Sequence, residues 1–303
     1  MISCPSCKDI SISLIGEISS SDIFGGRVLD QPLAGGELFS CNKCNLKFRF
    51  PRLNKKEMDA LYLEGEFKHW QYLPQNREDW KIAAEIVKSN FAIGKILDVG
   101  CFDGQFLNSL GNSYELMGIE IHKDAARHAE ERGVQIVGHD YESIDKIEEK
   151  FDVVIATDVV EHTPDPFIFL RTLSGITKKS GLIILATGNT DALAWRLMGS
   201  RYWYCAIPEH ISFINPGWCV WAAEQLGLIV EASKNYCHKP VSLPKHTAGI
   251  VKNLLFLATP NLFSYLRRQV YSDVKVSKRS AMMSSPPVWH GAVDHFLTVF
   301  RKK

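Results

Sequence analysis

No stretch of this 303-residue chain reaches the ~18 apolar residues that a membrane-spanning helix needs. The most apolar window, Leu254 to Leu266, is interrupted by Pro260 and Asn261. The N-terminus, Met1-Ile2-Ser3-Cys4-Pro5, has no basic segment followed by an apolar run, so no secretory signal is expected. Without one, the eight cysteines read as metal ligands or free thiols of a cytoplasmic protein, not as disulfides. Net charge is nearly absent, at +1, which excludes bulk polyanion binding by the chain as a whole. Neither G-x-G-x-x-G nor a Gly-Lys-Ser/Thr phosphate loop occurs, which excludes the dinucleotide and P-loop fingerprints. There is no internal repeat.

What is present is a soluble globular composition, 46% hydrophobic and 23% charged, of a length that suits a main domain plus a small module. Charge is unevenly spread: residues 239–303 carry 11 Lys/Arg against 2 Asp/Glu, so the preceding residues are net acidic. A basic segment on an acidic body suggests an anionic partner, or simply a solvated face.

Cys4-Pro-Ser-Cys7 and Cys41-Asn-Lys-Cys44 are two C-x2-C knuckles. Each turn sets two thiolates on one side, and two pairs make a closed S4 cage for Zn2+, structural because it has no open position. Between the pairs, residues 10–18 and 37–39 read as strands, and Leu46 to Phe50 as an edge strand. Asn54 is positioned to cap a helix running to Leu63, and Trp80 to Val87 carries a helical apolar stripe. Tyr62, Phe67, Trp70 and Tyr72 form an aromatic cluster, a lid or a packing layer. From Lys95 apolar strands at 96–99, 116–119, 134–137, 151–156 and 182–186 alternate with helices, the pattern of a parallel sheet covered on both faces. A sixth strand at 228–232 and a seventh at 295–300 enclose a helical insertion.

Asp98-Val-Gly-Cys-Phe-Asp-Gly104 turns tightly after the first of these strands and opens a helix. Glu120 ends the second, about 20 residues on, where a carboxylate can accept both hydroxyls of a ribose. Asp140, after the third, can accept from an exocyclic amine, with the Tyr141 amide beside the base. With Phe151 to Pro166, which contains Asp158-Val-Val-Glu-His-Thr-Pro-Asp-Pro166, these residues make the chain resemble a class I S-adenosylmethionine (SAM) dependent methyltransferase over roughly residues 75–236 plus the final strand. With the Cys4 module, it is most similar to the sugar methyltransferases of deoxysugar and surface-polysaccharide pathways.

The resemblance implies an α/β, Rossmann-like seven-stranded sheet with helices on both faces and an antiparallel last strand. It implies a zinc-ribbon-like module over 1–52, a helical connector or lid over 53–90, a SAM-binding core over 91–236, a helical insertion over 237–293 and a final strand over 294–303. It assigns Asp98, Gly100, Cys101, Phe102 and Gly104 to the methionine side of SAM, Glu120 and Ile121 to the ribose, Asp140 and Tyr141 to the adenine, and Thr157 and Asp158 to the neighbourhood of the methyl donor.

Methyl transfer from a sulfonium needs an aligned nucleophile and a base. Two Glu-His pairs, Glu161-His162 and Glu209-His210, follow the fourth and fifth strands. The segment Arg201 to His210 adds aromatic walls, so His210 is expected as the base and Glu209 as its partner, with a sugar, carried by nucleotide or lipid, as anionic acceptor. His162 reads as a second candidate or a helix start. RNA methylation is the alternative, opposed by a zinc module with little net charge; a SAM-binding scaffold without turnover is another. The basic insertion offers cations to a pyrophosphate, lies on anionic lipid, or packs in an oligomer.

Overall fold

The computed structural model describes residues 2–25, 27–63, 77–238, 240–270 and 285–303. The N-terminal module holds β1 (Ile12–Glu17), a hairpin of β2 (Ser21–Phe24) and β3 (Arg27–Leu33), then β4 (Glu37–Cys41) and β5 (Lys47–Phe50). α1 (Lys55–Leu63) opens with a capping box: Asn54 Oδ1 accepts from the Glu57 amide at 3.0 Å, and Glu57 returns a bond to the Asn54 amide at 2.8 Å. Of the aromatic cluster, Phe67, Trp70 and Tyr72 lie outside the described residues.

α2 (Glu78–Asn90) precedes the main sheet, whose strands are β6 (Gly94–Val99), β7 (Tyr114–Ile119), β8 (Gln135–Gly138), β9 (Phe151–Thr157) and β10 (Thr177–Gly188), joined by α3 (Gln105–Leu110), α4 (Lys123–Glu131) and α5 (Pro166–Ile176). α6 (Leu193–Met198) and a two-residue strand, β11 (Ser212–Phe213), follow, then α7 (Pro216–Leu226), β12 (Leu228–Tyr236), α8 (Leu243–Ala258), α9 (Pro260–Val270) and β13 (His295–Lys302). The seven-stranded sheet runs β12-β13-β10-β9-β6-β7-β8, parallel except for β13, which lies antiparallel between β10 and β12. Val153, Val154, Ile155, Ile183 and Ile184 are fully buried, as strands covered on both faces must be. The fold is the Rossmann-like, seven-stranded one expected.

The strand expected at an edge over 46–50 is internal. β5 pairs with β4 on one side and with β11 on the other, giving a second sheet of order β1-β4-β5-β11. Thus two residues of the main domain complete the sheet of the Cys module. The two parts also share one core, in which Cys4, Cys44, Leu46 and Phe48 pack with Ile214, Trp218 and Phe300. Arg49, 3% exposed, seals the joint: its amide donates to Ile211 O at 3.0 Å, and its guanidinium donates to the carbonyls of Cys205 and, at 3.0 Å, Ile207. In Arg49→Ala the Cys205 carbonyl loses its guanidinium donor and the Ile207 carbonyl keeps only the His210 amide, so about 2 kcal/mol is expected to be lost, the cost of two charge-assisted bonds discounted for relaxation and for that remaining partner. Urea unfolding checks this; an unshifted midpoint would mean the 201–210 loop is held without Arg49.

Candidate active site

The loop after β6 reverses through backbone conformations that need glycine. Gly100 and Gly104 sit at φ +79° and +74°, and a Cβ on Gly100 would come within 2.7 Å of Val159 Cγ2. Phe102 is also left-handed, at φ +50°. The amides of Gly100 and Cys101 both donate to Ile119 O, at 2.8 and 3.1 Å, tying the turn to the end of β7. Glu120 gathers this corner: its carboxylate accepts from the amides of Phe102 at 2.9 Å and His122 at 2.8 Å. Burial pushes its pKa up, and those amides hold it back. Asp98 is 3% exposed, its Oδ1 has no hydrogen-bond partner among the described residues, and burial, with Glu120 adding repulsion, raises its carboxyl well above the usual range. An unpaired buried acceptor beside a glycine cradle fits a cationic ligand group such as the ammonium of SAM.

Ile121 follows Glu120 and is 38% exposed. Asp140 caps a 3-10 turn beginning at Tyr141, with its Oδ1 accepting from the amide and hydroxyl of Ser143, both at 2.7 Å. Thr157 ends β9, and Asp158 turns out of it in the left-handed region, at φ +55°. A non-glycine residue there is strained, and something must hold it. Arg77 does, bridging Asp158 at 2.5 Å and Asp79 at 2.5 Å, with Asp79 fully buried. His238 sits 3.8 Å from a carboxylate oxygen of each acid. Burial opposes charge on Asp158, but Arg77 and His238 outweigh it and hold its pKa well below the usual carboxylate range. Burial likewise opposes a charged His238, and Asp158 with Asp79 outweighs that, so its pKa is raised.

Beyond Asp158 the chain makes a 3-10 turn, Val160–His162, that faces the 201–210 loop. Here Glu161, His162 and His210 converge, with one ligand atom of each within 4.8 Å of the others, an arrangement that can hold one divalent cation. The His162 and His210 ring centroids are 4.9 Å apart. Glu161 accepts from Tyr204 Oη at 2.5 Å, its other oxygen has no partner among the described residues, and burial, with Asp158 adding repulsion, raises its pKa to about 7. Burial also keeps His210 neutral, its pKa well below the usual value. Because its Nδ1 lies 3.2 Å from Tyr204 O, a carbonyl, that nitrogen carries the proton. His162 Nδ1 meets Tyr62 Oη at 2.8 Å.

The expected Glu209–His210 pair is not formed. Glu209 Oε1 instead accepts from the Gly25 amide of the β2–β3 hairpin at 2.9 Å, and the ring it attracts is His162. Glu209 thus turns away from its neighbour His210 and acts on His162, while Glu161 comes within reach of both His162 and His210. Of the expected aromatic walls, Tyr202 and Tyr204 are buried in one cluster with Trp195, Tyr202 Oη is bonded to Asp294, and only Trp203 is half-buried.

In the module, Cys4 Sγ lies 3.5 Å from Cys44 Sγ and Cys7 Sγ 3.4 Å from Cys41 Sγ, with all four sulfurs within 4.8 Å of one another. These separations are too long for disulfides, and all four cysteines are free thiols.

Residues 62–233 match the family described as "Methyltransferase domain". The chain belongs to that methyltransferase family. Curated relatives include the ubiquinone biosynthesis O-methyltransferase of Aeromonas salmonicida, 29% identical over 59% of this chain and 80% of the relative. The protein of the same name from Erwinia tasmaniensis is 33% identical over 51% of this chain and 68% of its own length. Among solved structures, a chain of the complex between the Haloferax volcanii Trm112 methyltransferase activator and a methyltransferase superposes with TM-score 0.50 at 15% identity, covering 80% of this chain and 96% of that one; it shows the fold alone. Membership of this family makes SAM the expected methyl donor.

Arg77, Asp79 and His238 carry no local motif, and sequence reading missed them. The one signal available was a buried-type acid, Asp79, inside an apolar helical stripe. For the corner itself, Gly100→Ala adds a methyl that collides with Val159, and Asp98→Ala removes the unpaired acceptor. Each is expected to weaken SAM binding about tenfold or more, ~1.4 kcal/mol, in calorimetry on folded protein. Unchanged affinity in both variants would move the donor away from this loop.

Proposed function

We propose that this methyltransferase moves the methyl of SAM to a hydroxyl oxygen of a small molecule held between the end of β9 and the 201–210 loop. The observation that carries this reading is the trio of buried Glu161, half-buried His162 and buried His210, which begins three residues past Asp158. The donor is already activated, so the protein's task is to hold the nucleophile in line and take its proton. With its proton on Nδ1, His210 keeps Nε2 as the acceptor, and a neutral ring is the form that can receive. Glu161 supplies the negative charge that stabilises the imidazolium as it forms, in the place first expected of Glu209. Oxygen is favoured as the methylated atom because the relatives are named O-methyltransferases.

Two acceptor classes are supported unequally. A phenolic ring hydroxyl is favoured by relatives named for ubiquinone biosynthesis. A sugar hydroxyl is favoured by the Cys4 module through the resemblance to the sugar branch, but the burial of Tyr202 and Tyr204 removes two of the three stacking faces that reading used, leaving the half-buried Trp203. The phenolic reading therefore leads. RNA is disfavoured, since residues 1–52 carry six Lys/Arg and five Asp/Glu, with no phosphate-binding excess. The four thiols suit Zn2+, whose closed S4 site would brace β4 and β5 and, through β11, the His210 loop.

Incubation with labelled SAM and either simple catechols or sugar nucleotides separates the classes; label on neither, despite SAM binding, would favour a scaffold. His210→Ala is expected to cut kcat by about 10²–10⁴ and to spare SAM affinity; turnover at the wild-type rate would remove His210 as the base. Glu161 acts as a carboxylate, so kcat is expected to rise with pH through about 7. In Glu161→Gln that limb should vanish, and a limb that survives assigns the titration elsewhere. Metal analysis of fresh protein is expected to find zinc that Cys44→Ser loses together with several degrees of Tm; zinc-free wild type contradicts the cage.

A further inference from the structure

The helical hairpin between β12 and β13 has two faces with different employment. On α8, Gly249, Asn253 and Phe256 are buried, the last among Trp195, Tyr202 and Trp289. That inner face is held firmly: Arg201 Nη1 donates to Leu257 O at 3.2 Å, and the Phe256 and Phe263 rings meet edge to face at 5.5 Å. The opposite face is apolar and open to solvent. Leu243, Val251 and Leu254 lie on one side of α8, at 77, 60 and 45% exposure. α9 buries no residue and continues the surface with Leu262, Leu266 and Val270. Exposed apolar side chains are ordinary when scattered, but here they recur at helical spacing along two consecutive helices.

The charge on the same hairpin has one sign. Residues 240–270 contain Lys245, Lys252, Arg267 and Arg268 and no Asp or Glu. By the 100° step per residue the exposed apolar arc of α8 runs from Leu243 through Leu254 and Val251 to Leu255, about 120° round, and the exposed Lys252 and Lys245 follow at about 180 and 200°, beyond its Leu255 edge. No described helix is long and apolar enough to cross a membrane, so a surface of this kind lies on a bilayer instead of spanning it. A second copy fits less well, because a two-fold contact would set the cations of one stripe against those of its mate with no acid to answer them.

We propose that the outward face of α8 and α9 docks on an anionic phospholipid surface. The apolar stripe enters the boundary between headgroups and acyl chains, and the flanking lysines and arginines meet lipid phosphates. Because the inner face packs against Tyr202 and, through Arg201, the loop that carries His210, docking would bring the acceptor side of the site to the membrane. The inference does not depend on which acceptor is methylated.

The test is co-sedimentation of the full chain with vesicles of phosphatidylcholine alone and of phosphatidylcholine with phosphatidylglycerol. Binding is expected to the anionic vesicles at low ionic strength, weakening as salt screens the headgroups. Val251→Glu with Leu254→Glu is expected to lower that binding about tenfold or more, because charge replaces the inserting side chains. Both positions are exposed, so Tm and SAM affinity should stay at wild-type values, which distinguishes lost docking from lost folding. Recovery of the wild-type chain in the supernatant with both vesicle types overturns the proposal. So does a dimer, seen by light scattering without lipid, that the same glutamates dissociate while vesicle binding is absent.

Discussion

Two residues hold the molecule's function in one piece. Ser212 and Phe213 lie antiparallel to Phe48 and Lys47, and so make the loop ending at His210 a continuation of the sheet that carries two of the four cysteines. A loop of this length would ordinarily wander. Here it is fixed on one side by strand pairing, on another by Arg49 under its carbonyls, and at Glu209 by the Gly25 amide. The cysteine cluster is therefore better described as the far end of a brace than as an appendage. Whatever loosens it reaches His210, the base proposed above, through a chain of backbone hydrogen bonds.

The donor side follows a different logic. Its parts are local in sequence: a turn that only glycine enters without strain, an acid at the next strand end, and a cap at the one after. That is why the glycine turn at Asp98 to Gly104, the acid Glu120 and the Asp140 cap, the donor side proposed here, could be picked out from the chain. The alternating apolar strands were legible too, because burial on both faces writes itself as unbroken runs of Val, Ile and Leu; the antiparallel last strand came from the family resemblance, and the pairing of β13 bears it out. The acceptor side is built from long-range contacts and was read only in part. Both Glu-His pairs were recognised, yet Glu209 turned away from His210 toward Gly25 and His162, since adjacency in sequence says nothing about which way two side chains turn on an irregular loop. β11 could not be read at all, being two residues long and a strand only because β5 lies beside it. The edge position expected of β5 failed for the same reason.

Asp158 joins the two sides. Its backbone sits where a side chain is uncomfortable, and Arg77, Asp79 and His238, from two distant segments, supply the electrostatic grip that keeps it there. Fixed charges of opposite sign at the end of β9 stabilise a geometry that propensity alone would reject. The same turn starts the path to Glu161, so the left-handed Asp158 and the carboxylate proposed to assist the base share one short stretch of chain.

The position of β13 has a consequence for how such a protein comes into being. It fills the gap between β10 and β12, yet every other strand leaves the ribosome before it. Until its eight residues emerge, two long and partly apolar strand edges remain open to any passing polypeptide. The nascent chain thus passes through a stage in which this sheet is nearly finished and at its stickiest, and one late-arriving segment locks the whole sheet at once.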